Sequence, residues 1–403
     1  MDVRRQLYID LVTKTMGTGL VVVLTGQRRV GKSHLLQSLR RDFEAMSATN
    51  VIFIDKEKRE FDAIVDYRAL NEYIEAHRDD RPHTVVMIDE VQEISQFERS
   101  VRNYRTESGF DLIITGSNAR MLSSELTTII GGRYREIYIQ PLSYPEFLAI
   151  HSLRDSDEAL WQYITHGGMP GLERIGLSEA ARQYLLDILN TALLKDVVIR
   201  NQIRNITFLE NLVRFLADNT GKPFSAKRIS DYITSHGEAI SSTLVANYLS
   251  MLCEAYIIHK VRRFNIHGKQ LLENNCKYYF EDHGIRNAIA GGSREGDIEK
   301  VLETIVFNHL RRMGYTVNVG ELRVGEINFV ASRGGDIAYV QVSYLIADDS
   351  TREREFGNLL KINDNHPKFV VSLSPMFSPN DYKGVKHLHL RHFLNLSTLH
   401  QVL

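Results

Sequence analysis

The most constraining feature of the sequence is the motif Gly-x-x-x-x-Gly-Lys-Ser close to the first residue. The apolar run Leu20–Leu24 precedes it and predicts a buried strand, and His34–Phe43 has the pattern of a helix. In this setting glycines let the backbone wrap around a polyphosphate, so that N–H groups and the helix N-terminus face the anion. The motif predicts a phosphate loop made of Gly26, Gln27, Arg28, Arg29, Val30, Gly31, Lys32 and Ser33.

Side chains of the loop and of a second strand specify the ligand further. Lys32 can reach the β- and γ-phosphates of ATP, and the Ser33 hydroxyl can ligate Mg²⁺. The apolar run Val85–Ile88 predicts another buried strand, which Asp89 and Glu90 follow. We expect Asp89 to hold the Mg²⁺ shell through water and Glu90 to polarise the water that attacks the γ-phosphate. ATP and Mg²⁺ are therefore the expected cofactors.

Two further segments carry residues that could act on the phosphates. Ser117 and Asn118 follow the apolar run Leu112–Thr115, and either side chain could contact the γ-phosphate or the attacking water. The alternative is a turn that caps the following helix. Arg133 follows two glycines and is either a cation that stabilises transition-state charge or a surface arginine.

The spacing of apolar runs predicts an α/β fold. From Val21 to about Ile150, short β-branched runs alternate with helical stretches, which is typical of a parallel sheet covered by helices. The glycine turn Gly291–Ser293 is a plausible linker before a last block of one helix and several strands. The predicted domains are a phosphate-loop ATPase domain (1–150), a helical lid or connector (151–222), a winged helix (223–290) and a C-terminal α/β domain (291–403).

Several short motifs, in this order, resemble a known family. They are Gly-Gln-Arg-Arg-Val-Gly-Lys-Ser, Ile-Asp-Glu-Val-Gln, Thr-Gly-Ser-Asn, Gly-Gly-Arg and Pro-Leu-Ser-Tyr-Pro-Glu-Phe. The chain resembles bacterial and archaeal single-chain AAA-like ATPases, which are related to archaeal ATPases and to the STAND signalling class. The resemblance implies nucleotide binding and leaves the biological task open. It also implies that the turn Gly168–Gly171 senses the nucleotide, although a simple helix-helix corner explains the same residues.

The predicted winged helix has an uneven distribution of cations. Its second helix, Ser241–Leu252, contains no lysine or arginine, whereas a DNA-recognition helix normally carries some. The segment therefore predicts either weak, sequence-independent DNA contact through the wing or a role as a lid or protein contact. The cations lie around that helix, at Lys227, Arg228, Lys260, Arg262, Arg263 and Lys269.

The last block resembles a degenerate restriction-endonuclease-like α/β domain. That nuclease chemistry needs a helix glutamate, a strand aspartate and a Glu-x-Lys pair. Glu303 fits the first position, but the other positions hold Asn328, Gln341 and Ser343. Neutral side chains hold divalent cations poorly, so the domain is expected to be inactive. The histidines at 387, 389 and 392 have a spacing that zinc ligands can show, but no cysteine or acidic residue lies close to them in the sequence.

Composition limits the remaining alternatives. The net charge is −1, so any nucleic-acid site must be a local patch. Cys253 and Cys276 form no metal-like pair, and no apolar run approaches the roughly 18 residues of a membrane span, so we expect a cytoplasmic protein without membrane contact. The leading hypothesis is an ATP-binding, ATP-hydrolysing switch that exchanges ATP and ADP and acts on an unknown protein partner. The alternatives are a nucleic-acid-binding regulator with ATP as a structural ligand, and an ATP-gated nuclease.

Overall fold

The chain folds into two compact units. The structure is a computed structural model and describes residues 4–117, 131–235, 240–291, 295–346, 349–375 and 380–402. The first unit comprises Met1–Pro141 together with Glu254–Tyr256. The second comprises Leu142–Cys253 and Ile257–Leu403. The first unit therefore ends before the predicted boundary at residue 150.

The first unit is built on a five-stranded sheet in which every neighbouring pair of strands is parallel. This sheet confirms the predicted α/β class. Its order, β2-β3-β4-β1-β5, makes β1 and β3 the two neighbours of β4, so the carboxyl ends of these three strands meet at one edge. The strands are β1 (Val21–Thr25), β2 (Thr49–Asp55), β3 (His83–Asp89), β4 (Phe110–Thr115) and β5 (Tyr134–Tyr138).

Helices cover this sheet, and all five residues of β1 are buried, as expected for a central parallel strand. α2 buries an apolar stripe that includes Leu35, Leu39 and Phe43. α3 begins after Asp66, whose carboxylate accepts from the N–H groups of Arg68 and Ala69. The helices that the structure describes here are α1 (Gln6–Thr13), α2 (Lys32–Glu44), α3 (Tyr67–His77) and α4 (Phe97–Tyr104).

The second unit begins with a helical region. A capping box formed by Ser143 and Glu146 starts its first helix, and Ser156 caps the second. The helices are α5 (Tyr144–Ile150), α6 (Asp157–His166), α7 (Leu172–Ile175), α8 (Glu179–Ala192) and α9 (Ile206–Asp218). The segment Leu193–Ile199 continues α8 with π-helical geometry.

Two helices and a hairpin follow in the predicted order. They are α10 (Ala226–Thr234), α11 (Ser242–Glu254), β6 (Ile258–Asn265) and β7 (Gln270–Phe280), with β6 and β7 antiparallel. The short helix α12 (His283–Ile289) comes next. β6 also pairs in parallel with β8, so the hairpin and the C-terminal strands share one sheet. The predicted domain boundary at residue 290 lies between β6 and β8 in the sequence, and these two strands pair in one sheet. The finer domain scheme stays a prediction.

The C-terminal part completes an eight-stranded mixed sheet of order β12-β13-β11-β10-β9-β8-β6-β7. Its elements are α13 (Ile298–Arg312), β8 (Thr316–Glu321), β9 (Glu326–Arg333), β10 (Asp336–Val342), α14 (Asp349–Leu360), β11 (Lys368–Ser372), β12 (Asp381–Tyr382), β13 (Val385–His389) and α15 (Leu390–Leu394). In the described part of the chain, no helix has the length and apolar character needed to cross a bilayer.

Candidate functional site

Two glycines give the loop after β1 its shape. Gly26 has a φ of 142°, and a Cβ atom there would lie 2.3 Å from the carbonyl oxygen of Ile139. Gly31 has a φ of 97° and immediately precedes α2. Both backbone conformations belong to glycine, because a side chain would be strained at either position. The loop can therefore close tightly between β1 and α2.

Lys32 turns its ammonium group into this loop. Its Nζ donates to the carbonyl oxygens of Gly26 at 3.0 Å and Gln27 at 3.1 Å, and the residue is 5% exposed. Gln27 and Val30 are buried, Arg28 is half-buried and Arg29 is exposed. A buried ammonium that faces backbone carbonyls is well suited to an anionic ligand, since a phosphate oxygen is a stronger acceptor than a neutral carbonyl.

Ser33 and Asp89 meet although they lie far apart in the sequence. The Ser33 hydroxyl lies close enough to the Asp89 carboxylate to interact with it, and Asp89 is 1% exposed at the end of β3. Burial raises the pKa of Asp89, and the hydrogen bond from Thr115 and the nearby Ser33 hydroxyl oppose that rise. The charged form of Asp89 is therefore disfavoured, because its lost hydration is only partly replaced. A cation beside it would stabilise the carboxylate.

Glu90 is held in an uncommon backbone conformation. Its φ is 54°, in the left-handed region that few residues other than glycine adopt. The Glu90 N–H donates to the hydroxyl of Thr115 at 3.0 Å, and the amide of Gln92 donates to the Glu90 carboxylate. These contacts fix the direction of the carboxylate at the same edge of the sheet as the loop. Strain that the surroundings maintain in this way is common at functional sites.

Thr115 links the two acidic residues and was not identified from the sequence. Its hydroxyl donates to the Asp89 carboxylate and accepts from the Glu90 N–H. Asp55 was also missed: it pairs in register with Asp89 across β2 and β3, is 7% exposed, and its charge contributes to the raised pKa of Asp89. The sequence signal that could have identified Thr115 and Asp55 was their position, since both residues lie at the ends of strands of the predicted sheet.

Ser117 lies close to this edge, and Arg133 does not. Ser117 is buried just after β4, while Asn118 lies outside the described residues. The Val21 N–H donates to the Arg133 carbonyl at 3.2 Å, which places Arg133 beside the first residue of β1. The phosphate loop leaves the other end of β1, roughly 13 Å away at about 3.3 Å per residue. Because β5 runs parallel to β1, Arg133 lies at the opposite end of β1 from the phosphate loop, and its role on the phosphates stays a prediction.

The predicted nuclease positions form hydrogen bonds within the protein. The Asn328 Oδ1 accepts from the Val342 N–H at 2.8 Å, and the Gln341 Oε1 accepts from the Asn328 N–H at 3.2 Å. The Gln341 amide also donates to Glu355 at 3.1 Å. Ser343 is buried, and its hydroxyl has no hydrogen-bond partner among the residues that the structure describes. These side chains continue the β9–β10 pairing beyond its last backbone partners, Phe329 and Val340.

Glu303 belongs to a separate cluster of charges. It accepts from the Tyr279 hydroxyl at 2.9 Å and lies 3.9 Å from the buried Lys277 ammonium, which also contacts Glu326 at 2.5 Å. Burial raises the pKa of Glu303, while Lys277 lowers it. Across the described ranges, no group of three or more histidine, cysteine, aspartate and glutamate side chains is placed to hold a metal ion. His387 is buried against the Ser372 hydroxyl, and His389 caps α15.

The turn at Gly168 is anchored by a buried carboxylate. The Gly168 N–H donates to Asp282 at 2.7 Å, and its carbonyl accepts from the Leu142 N–H at 2.7 Å. Asp282 also caps α12 by accepting from the Ile285 N–H. A Cβ on Gly168 would lie 2.4 Å from the Leu142 carbonyl, so the glycine is required by this close approach. These contacts make the turn a fixed junction within the second unit.

Comparison with known proteins places the chain in a family. Residues 18–148 match the model of an AAA domain, and residues 157–296 match a domain of unknown function, DUF8612. An uncharacterized protein of Haemophilus influenzae is 32% identical over 379 residues, which cover 92% of this chain and 93% of that protein. The chain belongs to this family of AAA-domain P-loop ATPases. The resemblance stated from the motifs is thereby confirmed.

More distant similarities were found to a second protein and to a solved structure. An uncharacterized protein of Methanocaldococcus jannaschii is 27% identical over 351 residues, which cover 83% of this chain and 77% of that protein. Among solved structures, a Walker-type ATPase of Pyrococcus abyssi aligns with a TM-score of 0.50 and 15% identity. The alignment covers 71% of this AAA-domain chain and 95% of the Pyrococcus chain. At this identity the likeness shows a shared fold.

Proposed function

We propose that the chain binds Mg²⁺–ATP at Gly26–Ser33 and hydrolyses it to ADP and phosphate. The observation that carries this proposal is the contact between the Ser33 hydroxyl and the buried Asp89 carboxylate. It joins the first turn of α2 to the end of β3, beside the inward-turned Lys32. A cation, a hydroxyl and a carboxylate from distant segments thus meet where a phosphate loop needs them.

The loop suits the triphosphate of ATP. Lys32 shares its protons between two neutral carbonyls, and a phosphate oxygen would bind the same ammonium more strongly. α2 is a 13-residue helix that starts directly after Gly31, so the N–H groups of its first turn and its dipole favour an anion at that end.

The oxygen atoms of Ser33 and Asp89 suit Mg²⁺, which prefers hard oxygen ligands. When bound, the ion would neutralise charge on the phosphate oxygens. Glu90 would accept a proton from the attacking water while the oxygen of that water bonds to the γ-phosphorus. The bond between that phosphorus and the bridging oxygen breaks, which leaves ADP and phosphate. We further propose, from the resemblance to signalling ATPases, that turnover serves as a switch.

Calorimetric titration with ATP and Mg²⁺ tests the binding part of the proposal. We expect Lys32→Ala to weaken ATP binding at least 100-fold, roughly 2.7 kcal/mol, because the phosphates lose their cationic partner. Lys14→Ala is the matched control, since Lys14 is an exposed lysine of the same unit. Equal affinity of the Lys32→Ala and wild-type proteins would show that this loop is not the site.

A second candidate function, DNA contact, rests on the exposed face of β6. We propose that α10, α11 and the β6–β7 hairpin act as a winged helix. Lys260 and Arg262 occupy alternate, exposed positions of β6, as a wing that contacts phosphates would require. Arg263 instead lies 3.1 Å from Glu321. We expect weak binding that falls steeply with salt and lacks sequence preference, because α11 carries no lysine or arginine.

Fluorescence anisotropy with a labelled duplex tests this second candidate. The double variant Lys260→Glu/Arg262→Glu should abolish binding while ATP turnover stays unchanged. Binding that persists in the double variant would exclude the wing as the contact. Sequence-selective binding at high salt would instead favour a DNA-binding regulator with ATP as a structural ligand.

For the C-terminal strands we propose a non-catalytic platform. The amides of Asn328 and Gln341 are engaged with the protein itself, which supports this reading over the ATP-gated nuclease. The expected result is no DNA cleavage with Mg²⁺ or Mn²⁺, with or without ATP. Metal-dependent nicking that is lost in Glu303→Ala would restore the nuclease alternative.

A further inference from the structure

A buried arginine outside the motif, Arg5, donates a hydrogen bond to the backbone of the phosphate loop. Arg5 directly precedes α1 and is 7% exposed. Its Nη1 donates to the carbonyl of Val30 at 3.1 Å, and its Nη2 donates to the carbonyl of Gln140 at 2.9 Å. The guanidinium also packs over the Tyr8 ring at 4.6 Å. One side chain thus binds two segments that are far apart in the sequence.

The contact with Val30 bears on how the loop presents its amides. In a trans peptide the C=O of one residue and the N–H of the next point in opposite directions. Because Arg5 holds the Val30 C=O towards itself, the N–H of Gly31 must point away from Arg5. Gly31 is the last loop residue before α2, so the direction of its N–H helps to decide how well the loop receives a phosphate.

The contact with Gln140 reaches the beginning of the same loop. The Gln140 N–H donates to the Tyr8 hydroxyl at 3.2 Å, so the N-terminal segment binds both backbone groups of this residue. The preceding residue, Ile139, donates its N–H to the Thr25 carbonyl at 2.7 Å and packs closely against Gly26. Arg5 therefore ties the end of the loop at Val30 to the segment that supports its start at Gly26.

We infer that Arg5 is a positioning residue that holds the phosphate loop in its phosphate-binding shape. The inference rests on the proposed function, since it assigns Arg5 a role in ATP affinity. Arginine suits this position because separate nitrogens of its planar group donate to the carbonyls of two segments, whereas lysine offers a single nitrogen without this fixed geometry. Arg5 need not touch the nucleotide, because it acts through the backbone of Val30 and Gln140.

The experiment compares four full-length proteins: wild type, Arg5→Met, Arg5→Lys and Arg4→Met. Arg4 is the matched control, because it is exposed and pairs with Asp42 at 2.9 Å. Titration with ATP and Mg²⁺ should show roughly tenfold weaker binding for Arg5→Met and about threefold weaker for Arg5→Lys, with Arg4→Met unchanged. Hydrogen exchange at residues 26–33 should be faster in both Arg5 variants, with the amides of β2 and β3 unaffected.

Other outcomes separate this inference from the proposed function. If Arg5→Met binds ATP like wild type while Lys32→Ala does not, the inference is wrong and the proposed function stands. If Lys32→Ala binds like wild type, the proposed function itself fails. Should Arg5→Met not fold, Arg5→Lys decides: a purely structural role predicts a lower Tm with wild-type affinity measured well below that Tm. That result would overturn the inference.

Discussion

Two places in this molecule gather polar side chains where neighbouring strands stop pairing, and they do so with opposite chemistry. At the carboxyl edge of the five-stranded sheet, Asp89 is a buried carboxylate whose pKa is raised by burial. At the end of the β9–β10 pairing, Asn328 and Gln341 are neutral amides bonded to the protein itself. A cation would stabilise the buried carboxylate of the first arrangement, whereas the amides of the second already bond to the protein itself. A buried carboxylate with a perturbed pKa is thus the better indicator of a candidate functional site.

The largest expected effect concerns Glu90, which we propose as the base at the carboxyl edge of the five-stranded sheet. Glu90→Gln should lower kcat by about 10²- to 10⁴-fold, because the amide cannot accept the proton of the attacking water. The Kd for ATP should stay within about twofold of wild type, since the variant removes an interaction made in the transition state. Glu93→Gln is the control, as Glu93 is a nearby exposed residue. A phosphate-release assay that shows the loss in Glu93→Gln alone would make Glu93 the base.

The next largest effect concerns the neutral amides at the end of the β9–β10 pairing. Gln341→Glu removes the amide donor to Glu355 and places two carboxylates together. We expect destabilisation of about 1–3 kcal/mol in urea unfolding, with ATP turnover unchanged. Gln183→Glu creates the same pair on an exposed helix face, against Asp187, and should cost only about 0.2–0.5 kcal/mol. Equal effects for the two variants would mean that the amide cluster is no more constrained than the surface.

A smaller effect is expected at Thr115, which joins Asp89 to Glu90. Thr115→Val keeps the shape but removes the hydroxyl, so kcat should fall roughly tenfold, about 1.4 kcal/mol in the barrier. Thr106→Val, at an exposed helix end, is the control. An unchanged kcat would show that the geometry of Glu90 does not depend on this hydroxyl.

The smallest expected effect is on stability, where removing the carboxylate of Asp89 should stabilise the protein. Burial raises the pKa of Asp89, so the folded protein disfavours its charged form relative to the unfolded chain. This loss of stability is fully present when the pH lies above the pKa of Asp89 in the folded protein. It disappears as the pH falls below the pKa of Asp89 in the unfolded chain. Asp89→Asn should therefore raise Tm by roughly 2–4 °C at pH 8, with a smaller gain at pH 4. Asp80→Asn, at an exposed turn, is the control, and a gain that grows towards acid pH would contradict the account.

Much of the fold was predictable because its signals are local. Short β-branched runs predicted the five parallel strands, and the glycines of the motif stand where the loop needs positive φ angles, at Gly26 and Gly31. Pairing between distant segments has no such signal. Neither the parallel contact of β6 with β8 nor the position of Arg133 at the far edge could be inferred, because both depend on which strands become neighbours.

The candidate site shows the same division. Lys32, Ser33, Asp89 and Glu90 stand out through their motifs. Thr115 and Arg5 do not, because a threonine ending a strand and an arginine near a chain terminus are common in sequences. Their roles come from hydrogen bonds to groups 25 and 135 residues away in the chain. Such contacts become visible only when the fold brings the segments together.

The most direct test of the central claim is phosphate release by the full-length protein at saturating Mg²⁺–ATP, measured beside Lys32→Ala and in the presence of EDTA. The account predicts turnover by the wild-type protein that is lost in Lys32→Ala and lost when EDTA removes the metal. Release that is the same in Lys32→Ala, or no release by the wild-type protein, would contradict the claim that the edge of the five-stranded sheet is an ATP-hydrolysing site.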